Sequence, residues 1–503
     1  MDDMNLHFRP AGMAMPAEPR LQSEPRDGVP DVTDDLEGYH RACERLASGT
    51  GPLAADAERA SGFRYGREDQ LIQFKREGSG IVLLDPVALG ALHVDWAEFM
   101  GAVGDVDWII HDSMQDLPGF ADLGLVPGGL FDTEIAARML GLKRFGLAAV
   151  TARFLGITLA KEHSAADWSY RPIPRDWRNY AALDVELLIE LDEVMTAELR
   201  RQGKLEWVWE EFRHALRRGT APRPVDEEPW RHLSGITSLA HDDLGLAVAR
   251  ALWLERDRLA REHDIAPSLL LPDRAIVEAA RRKPRNGAEF RAIRSLNERV
   301  RVRTGDDRER MFERYAPIQR QVRPAVWRRI IAGVLEASSG EALSSRAVTD
   351  APWDARDRMR PAAAFEVAVE GAAGNGSARR GAEAGEDDGV GTVRARGRAE
   401  EGRDDAGCAE AHSEGHADAP RSMKVWSHHP DRMRRLQAAR ETIRVIAEDT
   451  RTSADVILRP QILRNLCWTD DPGERDVASF LAAEGARPWQ VGLVAESLSR
   501  AIM

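Results

Sequence analysis

Leu53-Ala-Ala-Asp-Ala-Glu-Arg-Ala-Ser-Gly62, LAADAERASG, ends a short apolar run with two carboxylates, Asp56 and Glu58, two positions apart. Read as a strand, the run turns both acids to one face, because residues i and i+2 of a strand share a face. Like charges at that range repel unless something positive sits between them. Around this segment, LIQFKR, IVLLDP and WIIHDS are further short runs with β-branched residues, bounded by turn chemistry, and each reads as a strand. EGYHRACERLAS precedes them as a helix, and DTEIAARMLG, GLAAVTARFLG and the long YAALDVELLIELDEVMTAELRRQG follow with helical patterns. Clustered strands followed by helices able to cover a sheet predict an α/β layer fold over 35–218.

The chain has 503 residues, of which 43% are hydrophobic, so several domains with real cores are expected. A formal charge of −13 excludes a uniformly basic nucleic-acid coat but not a local basic face. Cys43, Cys408 and Cys467 are too scattered for a disulfide framework or a zinc spacing. The N-terminus lacks a signal-peptide core and no run approaches a membrane span, which predicts a soluble, cytoplasmic protein. Residues 1–34 are polar, Pro-containing and acidic at their end, and read as a disordered tail.

A Pro-rich joint within 219–242 reads as a linker to an all-helical region over 243–338. There 21 Lys and Arg stand against 14 Asp and Glu, with the densest basic patch at Arg281, Arg282, Lys283 and Arg285. The stretch 339–424 contains a Gly/Ala/charge-rich insert, 359–421, with almost no aromatics, and is expected to be largely disordered. Helical patterns resume over 425–503. SADVILRPQILRNLCW echoes the earlier APSLLLPDRAIVEAARRKP, which suggests a second, diverged copy of one helical module.

Two more acids occupy telling places. Asp116 falls in the first turn of a helix after WIIHDS, and Ser113-x-x-Asp116 also fits a helix capping box. Tyr180 and Asp184, four apart, share one helix face. Four carboxylates without a His or Cys partner suit hard cations, and a two-metal phosphoryl-transfer site in particular. Taken singly, each pattern has an ordinary reading as a solvated acid or a helix cap.

Taken together, DAE, HDSMQDL, FDTEIAARMLG and KEHSAADWSYRPIPRDWRNYAALDVE resemble the Tyr-containing branch of the DEDD exonucleases, and most closely the ribonuclease D family in its actinobacterial form. The resemblance implies a ribonuclease H-like 3′–5′ exonuclease domain, a mixed sheet flanked by helices, over 35–218. It implies all-α HRDC-type domains at 243–338 and 425–503. It further implies two Mg²⁺ or Mn²⁺ ions on Asp56, Glu58, Asp116 and Asp184, with Tyr180 orienting the attacking water. The implied reaction trims RNA 3′ ends, tRNA precursors and other structured RNAs among them, and releases nucleoside 5′-monophosphates. A monomer is expected. A 3′–5′ DNA exonuclease or an RNA-binding scaffold with a decayed site are the alternatives.

Lesser expectations attach to single residues. Lys161 is a candidate phosphate contact, alongside Arg281, Arg282, Lys283 and Arg285. His111 reads as a packed, hydrogen-bonded histidine, Asp132 as an N-cap, and Gln73 as a maker of a structural hydrogen bond. Trp168 and Trp177 are either buried or base-stacking. Gly78-Ser79-Gly80 lacks the third glycine of a dinucleotide fingerprint.

Overall fold

The computed structural model describes residues 19–160, 166–223, 226–297, 307–340, 419–420, 423–469 and 476–502. A six-stranded mixed sheet forms the centre of the first domain. Its strands are β2 (Val32–Thr33), β3 (Thr50–Arg59), β4 (Asp69–Glu77), β5 (Gly80–Leu84), β6 (Asp107–Ile110) and β7 (Gly129–Asp132), in the order β2-β5-β4-β3-β6-β7. β3, β4 and β5 form an antiparallel meander, while β6 and β7 add in parallel on one side and β2 on the other. A separate parallel pair joins β1 (Arg20–Gln22) to β8 (Ile157–Leu159).

β4 is buried along nearly its whole length because both faces of the sheet are covered. Phe74 packs against Phe99, Trp108 and Phe120 on one face. On the other face Lys75 reaches Glu186 of the helix Arg175–Glu186. Helix starts follow local chemistry, with Asp35, Asp85, Asp95 and Asp132 each accepting from backbone N–H groups of the turn that follows.

Three sequence expectations change. Residues 19–34, read as a disordered tail, contribute β1 and β2, because Asn179 donates to Ser23 O, Arg178 to Pro30 O and Gln22 to Glu186. The linker at 219–242 packs Trp230, Leu233, Ile236 and Leu239 into the next core, and the preceding helix Leu205–Thr220 runs into it. The long helix from Tyr180 starts earlier and breaks at Leu187, giving Arg175–Glu186 and Leu188–Arg201.

Two helical modules follow. The first runs through Asp243–Glu262, Pro267–Leu270, Asp273–Arg282, Gly287–Arg291 and, after Asp307–Gln321, Pro324–Gly340. The second runs through Pro430–Thr450, Ala454–Ile457, Pro460–Trp468, Val477–Ala483 and Pro488–Ile502. In both, a long first helix packs on the third and the last, and a proline opens or precedes the third. The echo between SADVILRPQILRNLCW and APSLLLPDRAIVEAARRKP is therefore matched by a shared local shape. Apart from 419–420, the insert 359–421 lies outside the described residues.

Both modules touch the sheet domain. Behind β3, Phe63 O accepts from Ala266 N at 2.7 Å, Tyr65 donates to Asp257, and Tyr315 donates to Asp167 at 2.7 Å. The second module docks through Glu211, which accepts from Arg487 at 2.6 and 2.5 Å and from Trp489 Nε1 at 2.8 Å. Lys204 Nζ bonds Met139 O and Arg451 O across the same boundary.

Candidate active site

Asp56 and Glu58 lie on β3 opposite Gln73 and Leu71 of β4, so both face the helix Arg175–Glu186. That helix carries Asp184 above them. One oxygen each of Asp56, Glu58 and Asp184 falls within 4.8 Å of the others. Tyr180, one turn before Asp184, is hydrogen-bonded to it. Asp116 is buried on the helix Ser113–Asp122, which begins at the end of β6, and it stands outside the three-acid cluster. Arg59 NH2 bonds Asp116 Oδ1 at 2.8 Å.

Burial leads the electrostatics. It raises Asp116 and Asp184 to about 7, and lifts Asp56 and Glu58 well above the ordinary carboxylate range. For Asp56 the charges of Asp116, Asp184 and Glu58 add to desolvation, and Arg59 offsets part of it. Burial also raises the Tyr180 phenol, with Asp184, Glu58 and Asp56 adding, so the hydroxyl stays protonated at neutral pH. Converged, half-buried carboxylate oxygens with no nitrogen or sulfur among them fit a hard divalent cation, which would remove the mutual repulsion.

The capping box at Ser113 does not form. Asp112 is the N-cap, in the left-handed region at φ 60, and makes no side-chain cap. Ser113 N instead donates to Asp132 Oδ2 at 2.8 Å, while Asp132 Oδ1 caps the helix Thr133–Met139. Asp132 thus ties two helix starts together. His111 shares a 2.8 Å hydrogen bond with Thr133, as a packed histidine should. Gln73 departs from expectation: fully buried, it has no hydrogen-bond partner for either amide atom among the described residues.

Trp168 and Trp177 are both buried, their rings 5.5 Å apart, with Trp168 also against Tyr180. Trp168 packs the tyrosine and Trp177 backs Trp168, and neither buried ring offers a platform for bases. Lys161 lies outside the described residues. Of the basic patch, Arg281, Arg282 and Arg285 are exposed, whereas Lys283 ends its helix in an ion pair with Asp242. Arg281 and Arg282 share a groove with Arg274, Ser234 and Gly235. Arg59 and Asp69 were missed in the sequence, since an arginine after D-x-E and an acid before a strand carry no signal of their own.

Three family models match separate parts of the chain. The one described as 3′-5′ exonuclease covers 30–200, the HRDC domain covers 245–307, and the 3′ to 5′ exonuclease C-terminal domain covers 419–502. Ribonuclease D of Jannaschia sp. (strain CCS1) is 31% identical over 271 residues, 53% of this chain and 68% of that protein. Ribonuclease D of Sphingobium indicum is 30% identical over 273 residues, again 53% and 68%. A crystal structure of a protein from Bifidobacterium adolescentis is 53% identical, with TM-score 0.76, covering 96% of this chain and 100% of that one. Escherichia coli RNase D, at 17% identity and TM-score 0.53, covers 94% and 98% and shares the fold. With the exonuclease sheet, the clustered acids and the helical modules in the family's order, the chain belongs to the ribonuclease D family and is a 3′–5′ exoribonuclease.

Proposed function

We propose that the enzyme trims the 3′ ends of structured RNAs, tRNA precursors among them, by hydrolysis that depends on two Mg²⁺ or Mn²⁺ ions and releases nucleoside 5′-monophosphates. The convergence of Asp56, Glu58 and Asp184 oxygens within 4.8 Å carries this reading. Asp56, Glu58 and Asp184 would hold the cations, with Asp116 helping. Bound there, divalent cations supply the Lewis acidity that acidifies water and neutralises the departing 3′ oxygen. With its one proton donated to Asp184, Tyr180 orients the attacking water through its hydroxyl oxygen and not as a base, because a phenol raised by burial stays protonated.

The substrate class draws on the Escherichia coli protein of the same fold, described as an exoribonuclease involved in structured RNA processing. Arg274, Arg281 and Arg282 line one groove of the first helical module, where Glu278 pairs with Arg282, and Arg285 is exposed three residues on; these are the candidate contacts for phosphates of the RNA body.

The test incubates 5′-labelled RNA and DNA of one sequence with the protein in Mg²⁺, Mn²⁺ or EDTA, and follows shortening from the 3′ end with mononucleotide analysis. Asp56→Ala and Asp184→Ala are expected to lose at least about a thousandfold in turnover while folding normally, as removal of a principal electrostatic group does. Full turnover in either variant contradicts the site. Faster digestion of DNA than of RNA overturns the substrate assignment, and binding without cleavage in either metal supports a scaffold.

A further inference from the structure

Arg59 follows Glu58 on β3 and therefore points to the opposite face of the sheet, toward the helix Ser113–Asp122. In regular register it would stand opposite Gln70. β4 instead carries a bulge, stepping from Leu71 to Asp69 while β3 steps from Glu58 to Arg59, so Asp69 becomes the cross-strand partner. The bulged Gln70 carbonyl is taken by Arg171 at 2.7 Å. Arg59 then spans two acids, with Nε 2.8 Å from Asp69 Oδ1 and NH2 2.8 Å from Asp116 Oδ1.

Asp69 is 4% exposed, and among the described residues neither of its oxygens has a hydrogen-bond partner beyond Arg59. A buried carboxylate held by one cation is costly to fold around, which points to a role other than stability. The helix opposite makes room for it. A Cβ on Gly119 would lie 2.4 Å from Asp69 Oδ2 and 2.5 Å from Oδ1, and a short aspartate pinned to Arg59 cannot swing clear. Gly119 stands three residues after Asp116, on the same helix face. Bulge, clearance and fork all converge on the orientation of one carboxylate.

We propose that Asp69 and Arg59 form a buried brace that fixes the Asp116 carboxylate by one oxygen and leaves the other free for a divalent cation, making Arg59 and Asp69 positioning residues for the reaction. This rests on Asp116 being a cation ligand, as proposed above. Because Asp69 neutralises Arg59, the pair adds no net charge to the site. Beyond the charge by which Arg59 partly offsets the neighbouring acids, the pair's contribution is geometric, and a planar guanidinium spans two carboxylates in a way that a lysine ammonium does not.

The experiment measures Mn²⁺ binding by titration calorimetry on the full-length protein without RNA, beside kcat and KM on a defined RNA, for Arg59→Lys, Asp69→Asn, Gly119→Ala and the Arg59→Lys/Asp69→Asn double variant. Each single variant should weaken Mn²⁺ binding and lower kcat about tenfold, the scale of groups that orient a ligand, with KM little changed. The double variant should be no worse than either single, because both act through one carboxylate. Gly119→Ala reports independently, since it removes no charge, and circular dichroism checks each fold. Unchanged Mn²⁺ affinity in the folded variants, tighter binding in Arg59→Lys, or additive losses in the double variant would overturn the brace. Asp116→Ala separates the two readings. If it loses Mn²⁺ and turnover while the brace variants keep both, the brace alone falls; if it keeps both, the assignment of Asp116 falls and the brace with it.

Discussion

Tyr180 shows how one side chain is set by its surroundings. Trp168 packs on its ring, Asp184 accepts its hydroxyl one turn on, and burial keeps the phenol protonated. Tyr180→Phe keeps the ring packing and removes only the hydroxyl, with its bond to Asp184. Turnover is therefore expected to fall by roughly a hundredfold, within the range of positioned proton-handling groups, with RNA affinity little affected. Single-turnover kinetics beside a binding titration check this, and an unchanged rate would remove the hydroxyl from the reaction. Gln73 carries the opposite lesson. In LIQF it reads as an ordinary core-strand amide, yet the described residues supply it no partner, and a buried unpaired amide costs about 1–3 kcal/mol.

At the scale of elements, the break at Leu187 orients the helix that bears Asp184. YAALDVELLIELDEVM contains neither Gly nor Pro, so nothing local interrupts it. What meets it there is Lys75 of β4, whose ammonium bonds the Glu186 carbonyl and sits 3.2 Å from the Glu186 carboxylate. The intrahelical ladder gives way to a side chain reaching in from the sheet. Glu186 is almost fully buried, with Gln22 and Arg26 of the N-terminal segment as its other partners. Lys75→Met should cost roughly 1.5–3 kcal/mol, read as a lower urea midpoint, because it removes a charged hydrogen-bond donor from a buried carboxylate that keeps only Gln22 and Arg26. Turnover should fall as well, since Asp184 lies two residues away.

For the whole molecule, the acid cluster links stability to pH and metal. Asp116 and Asp184 titrate near 7 in the folded protein and near the ordinary 3.8 when unfolded, so the native state holds protons that the unfolded chain has lost. Stability they contribute is complete below about pH 4 and is lost as pH rises through 7. Without divalent cations, Tm should drop between pH 5 and pH 8. Added Mn²⁺ should raise it more at pH 8 than at pH 5, because a cation binds the ionised form. Thermal denaturation at the two pH values decides this, and a larger Mn²⁺ effect at pH 5 would contradict it. The candidate RNA contacts on the first helical module make a separate, salt-dependent prediction. Replacing Arg274, Arg281, Arg282 and Arg285 by Gln should weaken RNA binding and flatten the log Kd against log salt slope by about 0.7 for each phosphate no longer neutralised. An unaltered slope would place the RNA body elsewhere.

Much of this was readable from the chain alone, and the reasons are local. The D-x-E spacing put Asp56 and Glu58 on one face because strand geometry has a period of two, and Tyr180 and Asp184 share a face because helix geometry places i and i+4 together. The order of DAE, HDSMQDL and YAALD sufficed to name the family. Other features depended on contacts across the fold. The capping box at Ser113 lost to Asp132, a cross-strand neighbour that no window of sequence pairs with it. The tail and linker were read as loose from their composition, yet residues 19–34 are bound by Glu186, Arg178 and Asn179, and 229–239 by an apolar core. The bulge at Gln70 turned an unremarked Asp69 into the partner of Arg59. Periodicity reports which face a residue takes, because that follows from backbone dihedrals. It says nothing about which distant group meets that face, and that meeting decides where Asp116 points.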